Sequence, residues 1–260
     1  MSERPAAVEE PADAASRRRP VRSYVLRKGR VTEGQRRALR ELWPRYGVEP
    51  GDGPLDFGAL FGNDRPVIME IGFGNGAATW RMARDRPDEN YLGVEVHRPG
   101  VGHLLLKVEE HGLENVRIAC EDAVDLLRHR VPDNSLAGVR IYFPDPWHKK
   151  RHHKRRLVQP QFVELLARRM SAGAILHIAT DWAPYAAQMV DVLAGSPDFD
   201  NLSPTGDFCP RPEWRPPTRY EQRGERPRGN RHDGAAAISA GDELPRELAA
   251  ARLIAATSWG

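Results

Sequence analysis

Asp145 stands between Pro144 and Pro146, straight after the apolar run Ile141-Tyr142-Phe143. Trp147 and His148 follow, and then eight basic residues in succession: Lys149, Lys150, Arg151, His152, His153, Lys154, Arg155 and Arg156. A proline on each side leaves the backbone neither helix nor ladder, so the carboxylate is expected on a stiff loop just past a strand end. A placed acid, an aromatic plane and a dense cationic run within residues 141–156 suit a pocket for a nucleobase beside a track for phosphates. The plainer alternative is a solvated basic loop after an ordinary strand.

Four more acids fall where strands are expected to end: Glu70, Glu95, Asp122 and Asp181. Asp is a common turn and cap residue, but capping does not account for an acid at all five strand ends. An edge lined with carboxylates repels a pyrophosphate and favours a ligand rich in hydroxyls and amines, or a cation. Gly72, Gly74 and Gly76 form a G-x-G-x-G turn with Ala77 where the dinucleotide form would place its last glycine. That turn alone is a weak signal. Glu95, nineteen residues after Gly76, is spaced to accept from both ribose hydroxyls of NAD or S-adenosylmethionine alike. Glu70, directly before the glycines, favours an ammonium and sulfonium over phosphates, which places S-adenosylmethionine first and NAD second.

The elements that must hold these residues alternate. Strands are expected at 67–70, 91–95, 116–119, 139–143 and 174–179, with helices at about 77–83, 101–110, up to 127, 160–170 and 183–194. This grammar predicts an α/β fold, a doubly wound and mostly parallel sheet, whose strand ends share the ligand-binding edge. His177, inside the fifth run, reads as a satisfied core histidine. Before the sheet, Thr32 and Gln35 have capping-box spacing, with Leu39, Leu42 and Trp43 on one helical face and Pro44 as the stop. Arg22, Arg27, Lys28, Arg30, Arg36, Arg37 and Arg40 make this stretch a basic N-terminal arm. The division expected is a disordered tail (1–20), the arm with its short helix and connector (21–65), a catalytic domain (66–224) and an atypical tail (225–260). Residues 196–217 read as a long loop, and about 244–256 as an Ala-rich helix.

In bulk, 260 residues can bury a full core. The net charge of +3, from 39 Lys and Arg against 36 Asp and Glu, says less than the clustering of the cations. Cys120 and Cys209 stand far apart with no CxxC, which excludes a zinc ribbon or a disulfide framework. Adjacent His152 and His153 diverge and make poor metal ligands, so no metal is expected. GxxxxGK, HExxH and GxSxG are absent from the sequence. No run approaches a membrane span, and the first twenty residues lack the apolar core of a signal peptide, so the cytoplasm is the expected place.

From Val21 to Gly224 the chain resembles the bacterial tRNA (guanine-N7-)-methyltransferase family. The resemblance rests on Glu70-Ile71-Gly72-Phe73-Gly74-Asn75-Gly76, Gly93-Val94-Glu95-Val96-His97, the run Phe143 to Arg156, Ala179-Thr180-Asp181-Trp182, and Arg215-Pro216-Pro217-Thr218-Arg219-Tyr220-Glu221. It implies a Rossmann-like S-adenosylmethionine-dependent fold that methylates N7 of a variable-loop guanine in tRNA. Glu70, Glu95, Asp122 and Asp145 would bind the cofactor around the glycine turn, with Asp145 also at the reaction centre. Lys149, Asp181, Thr218, Arg219, Tyr220 and Glu221 would bind substrate, and residues 151–156 would contact RNA. A buried Asp145 or Asp181 could accept from guanine N1 and N2, and Trp147 or Tyr220 could stack the base. The chain departs from the family at its C-terminus, where Arg228 to Ala240 carries no aromatic and aliphatic closing strand. A nicotinamide oxidoreductase and a non-catalytic RNA-binding module are the rival readings. Monomer and homodimer both stay open.

Overall fold

The computed structural model describes residues 22–24, 29–203, 205–206, 208–218 and the backbone of 251–256. Helix α1 (Glu33–Glu41) starts at the expected capping box. The Thr32 hydroxyl accepts from the Gln35 N–H at 3.3 Å, and the Gln35 side chain accepts from the Thr32 N–H at 2.9 Å. Pro44 does not simply end this helix. It lies in the first turn of a second short helix, α2 (Trp43–Tyr46), where its missing N–H costs nothing. A two-residue strand, β1 (Gly47–Val48), follows, and the expected connector holds α3 (Phe57–Phe61), capped by Asp56.

The core then runs β2 (Val67–Ile71), α4 (Ala77–Asp85), β3 (Asn90–Val94), α5 (Arg98–Glu110), β4 (Val116–Ala119), α6 (Ala123–His129), β5 (Leu136–Tyr142), α7 (Pro160–Arg169), β6 (Met170–Ala179) and α8 (Ala183–Ala194). Helix α5 begins three residues before the expected Val101, since Pro99 fits its first turn. Two strands complete the sheet, β7 (Phe199–Asn201) and β8 (Ala251–Ala256). The order is β1-β4-β3-β2-β5-β6-β8-β7, and every pairing is parallel. β2 and β3 are buried throughout, as strands covered by helices on both faces must be. Between β2 and β5 the strand order changes direction, and such a reversal opens a crevice at the carboxyl edge.

The arm belongs to this body. Helix α1 packs on α5, with Gln35 Nε2 donating to the Pro99 carbonyl at 3.1 Å. A Cβ on Gly102 would stand 2.8 Å from that of Gln35, so the two helices meet at a glycine. Arg36, Arg37 and Arg40 pair on the surface with Glu33 and Glu41, contacts that add little stability.

Two expectations about the C-terminal part are corrected. The stretch read as a loop from 196 contains β7, and the Ala-rich helix expected at about 244–256 is replaced at Ala251–Ala256 by strand β8. That strand sits between β6 and β7, with Ile175 to Ala179 in register with Arg252 to Ala256. Alanine is the strongest helix former, but propensity is worth less than about 1 kcal/mol per residue, and an unfilled ladder along β6 outweighs it. So a closing strand does exist, farther along than Arg228 to Ala240. Truncation after residue 243 should lower Tm by about 2–8 °C in a thermal melt, the scale of losing one or two kcal/mol in a chain of this size.

Candidate active site

A cavity of about 570 Å³ opens at the carboxyl edge beside the β2–β5 reversal. Glu70, Gly72, Gly74, Glu95, Asp122 and Asp145 line it, and so does Thr218 from the segment after β7. Six of the expected site residues therefore come together with one from a motif 73 positions beyond Asp145. Gly76 is not in the wall; it opens α4 with φ 72°. Gly72 and Gly74 also take positive φ, 71° and 60°, where a side chain would strain the turn. Helix α5 presses against this turn, and a Cβ on Gly100 would lie 1.9 Å from the Gly74 carbonyl oxygen.

The N–H groups of the turn's three glycines are already engaged. Gly72 donates to the Val94 carbonyl at 2.8 Å, Gly76 to the Phe73 carbonyl at 2.8 Å, and Gly74 to Glu95 Oε2 at 2.8 Å. The other oxygen of Glu95 accepts from Val96 and His97 N–H at 2.8 and 2.9 Å. A phosphate-binding turn offers such donors to the ligand; here a carboxylate takes one of them and adds negative charge.

Glu70 is 3% exposed. Burial pushes its carboxyl up to about 7, against the opposing pull of the Thr79 hydroxyl, which donates to it at 2.6 Å, and of Arg140. Asp122 caps α6 by accepting from the Val124 N–H at 2.8 Å. Sequence reasoning missed Ser23 and Tyr24 of the arm, which also line the cavity. Burial first, and then the neighbouring Asp122 carboxylate, raise the Tyr24 phenol above its ordinary range. No local pattern marks Tyr24, whereas Thr79 was findable as a hydroxyl in the first turn of the helix after the glycines.

The loop after β5 departs from the expected track. Phe143 and Trp147 take φ of 53° and 47°, unusual for aromatic residues, on either side of the Pro-Asp-Pro segment. The Trp147 indole N–H donates to the Ser23 carbonyl at 3.0 Å, and the Arg155 guanidinium lies 3.9 Å from its ring centroid. Arg155 also donates to the Arg22 carbonyl at 3.2 Å. Trp147 thus clamps the arm, and one of its faces is covered. Lys150 to Arg155 coil into a 3-10 turn on which Lys150, Arg151 and Lys154 are exposed, beside an exposed Lys149. Burial and the surrounding cations hold the His152 imidazole below its ordinary range.

Arg156 does not share that surface. It is 3% exposed, donates to the Pro146 carbonyl at 2.8 Å and to Gln188, and stacks 4.7 Å from the Tyr185 centroid. An arginine so enclosed holds the loop onto α8 and is out of reach of a polyanion. Asp145 is half-buried and Asp181 exposed, so neither is the buried acid expected, and Asp181 stands outside the cavity wall. His148 meets the edge of Trp182 at 4.3 Å, which joins the loop to the segment after Asp181. Arg219, Tyr220 and Glu221 lie outside the described residues. Among the described residues no cluster of His, Cys, Asp or Glu could hold a metal ion, and no helix is long and apolar enough to cross a membrane.

Residues 64–233 match the model of a family described as putative methyltransferases. The tRNA (guanine-N(7)-)-methyltransferase of Alkalilimnicola ehrlichii is 54% identical over 221 residues, 84% of this chain and 93% of that one. That of Alcanivorax borkumensis is 53% identical over 208 residues, 80% and 87% of the two chains. That of Streptomyces avermitilis is 54% identical over 215 residues, 83% and 74%.

The buried acid sets a testable pH dependence of stability. Glu70 in the fold titrates near 7, above its ordinary 4.5, so its contribution is fully present below 4.5 and is lost as pH rises through 7. At pH 8 the ligand-free protein carries a penalty of up to about 3 kcal/mol that Glu70→Gln should relieve. Thermal melts from pH 5 to 8 should show the variant gaining on wild type with rising pH; a constant gap would remove the titration at Glu70.

Proposed function

The chain belongs to the tRNA (guanine-N7-)-methyltransferase family, and on that premise we propose that it transfers a methyl group from S-adenosylmethionine to N7 of a guanine in the variable loop of tRNA. The observation that carries the cofactor is the cavity itself: five carboxylates, Glu70, Glu95, Glu121, Asp122 and Asp145, line it, and Glu95 occupies the glycine turn's own N–H. A pyrophosphate would meet repulsion and a missing donor there, which sets NAD aside. The residues present fit an amino acid joined to a nucleoside. Glu70 faces the ammonium, Glu95 has lone pairs left for the ribose hydroxyls, and Asp122 beside Tyr24 suits the base. Bound, S-adenosylmethionine supplies an electrophilic methyl group on a sulfonium.

Guanine N7 carries a lone pair and no proton, so the chain needs no base to prepare it. Its work is to hold N7 in line and to accommodate the positive charge that develops on the ring. Asp145, half-buried between its prolines next to the strand reversal, is the acid placed to do this, accepting from N1–H and the N2 amine. To the guanine side we assign Thr218 in the cavity wall, the rest of its motif in sequence (Arg219, Tyr220 and Glu221), and Lys149 and Asp181, which stand outside that wall. Lys150, Arg151 and Lys154, with His152 and His153 around them, face the tRNA backbone; Arg155 and Arg156, both expected there from the sequence, steady the arm and the loop instead. Calorimetry with S-adenosylmethionine and NAD side by side tests the reading. Binding of the first alone supports it, NAD binding favours an oxidoreductase, and RNA affinity with neither favours a binding module.

Asp145→Asn should leave fold and tRNA affinity intact while lowering kcat by about 10²–10³, the scale of one preorganised electrostatic contact. Because N7 needs no deprotonation, single-turnover methylation should show the same deficit across pH 7–9; a deficit that changes with pH would make Asp145 a titrating base. Replacing Arg151 and Lys154 by Gln should flatten the salt dependence of tRNA binding by about 1.4–1.8 units of log–log slope, at about 0.7–0.9 per phosphate contact. An unaltered slope would mean that the exposed cations are only solvated.

A further inference from the structure

Behind the cavity, three ionisable residues stand side by side across the sheet. Glu70 on β2 is in register with Arg140 on β5, and Arg140 with His177 on β6. Directly opposed residues share a face, so all three project to the same side. They are 3%, 7% and 0% exposed. A row of this kind is expensive to bury without compensating partners. Part of the compensation is local: Arg140 Nη1 donates to the Ile175 carbonyl at 2.9 Å, and the Tyr142 hydroxyl meets His177 Nδ1 at 3.0 Å.

The rest comes from the segment just ahead of Thr218. The Trp214 ring lies 4.5 Å from the Arg140 guanidinium carbon and meets His177 edge-on at 4.9 Å. Arg215 is fully buried, its guanidinium 5.3 Å from the Tyr142 centroid. Its N–H donates to the Pro212 carbonyl at 3.0 Å, and its carbonyl accepts from Arg211 at 2.9 Å, so the backbone on both sides of the anchor is tied. Three residues later Thr218 enters the cavity wall. The groups that set the charge at Glu70 come from the elements around it: Thr79 of α4, Arg140 of β5, Glu95 just past the end of β3 and Arg215 of this segment. Burial first, and then Arg140 and Arg215, hold the His177 imidazole well below its ordinary range, so His177 adds no charge to the row.

We propose that Arg215 is a positioning residue whose buried cation seats the substrate-side segment 214–218 under the cavity and couples that seating to the Glu70 carboxylate. The coupling rests on reading Glu70 as the acid that faces the cofactor's ammonium. A loop that carries substrate contacts at Thr218 and a charge for the cofactor acid at Arg215 links the two sites by a single rigid connection. Guanine-side order and cofactor affinity then change together.

The test measures S-adenosylhomocysteine affinity between pH 5.5 and 7.5, together with kcat/KM for tRNA, in wild type, Arg215→Met, Arg215→Lys and Glu70→Gln. Removal of the cation in Arg215→Met should move the pH midpoint of cofactor binding upward by about half a unit to one unit, the low end of what a nearby opposite charge does. Lysine keeps a charge without the planar fork. Arg215→Lys should therefore hold the midpoint close to wild type and still lose about tenfold in kcat/KM for tRNA, as for one charge-assisted hydrogen bond. A folded Met variant with an unmoved midpoint overturns the coupling. If the Met variant does not fold, a Lys variant with wild-type kcat/KM overturns the positioning role. Glu70→Gln separates the two readings: wild-type affinity and pH dependence in that variant would show that Glu70 does not face the ammonium, whatever Arg215 does.

Discussion

The parallel pairing of β2 with β5 is the constraint on which the rest of the molecule depends. Chain order leads from β2 outward through β3 to β4, then jumps back to the other flank of β2, so two helical connections leave that junction in opposite directions. The backbone at the carboxyl edge therefore parts at the junction, and nothing in the sheet can close it. Glu70 lies on one side of the gap and the Pro-Asp-Pro segment on the other. The glycine turn, the close approach of α5 at Gly100 and the docking of Ser23 and Tyr24 all shape the walls of an opening that the topology creates.

Into that opening the chain places negative charge that the unliganded fold tolerates poorly. Glu95 is well satisfied, with three backbone N–H groups on its two oxygens. Glu70 is less so, with one hydroxyl and the fields of Arg140 and Arg215. A cationic ligand relieves this charge and an anionic one worsens it. The site thereby selects by the sign of charge before any detailed contact is made. On the proposed reading, stability given up at Glu70 is recovered when a cationic ligand binds, a common relation between strain at a site and its function.

The basic loop is built on a similar division between holding and contacting. Arg155 and Arg156 turn inward, one onto Trp147 and the arm, the other onto Pro146 and α8. Lys149, Lys150, Arg151 and Lys154 are left on the surface. Trp147 joins the two functions, because the indole that closes the arm over the cavity sits at the root of the cationic turn.

What the sequence determined by itself was whatever depends on near neighbours. Alternating apolar runs and helical periods set the α/β order, the capping box set the start of α1, and prolines around Asp145 set a stiff loop. Acids at consecutive strand ends became one cavity because parallel strands all aim the same way. What only the tertiary structure decided were contacts whose partners lie far apart in the chain. Tyr24 reaches Asp122 across 98 positions, and Glu70, Arg140 and His177 align only through the registers of β2, β5 and β6. Arg155 and Arg156 are identical in type and adjacent, yet one covers an aromatic face and the other is buried against α8, a difference fixed by the direction of the 3-10 turn. Ala251–Ala256 became a strand because β6 offered an unpaired ladder. Local propensity carries no information about such an opening, since the opening exists only after the rest of the sheet has formed.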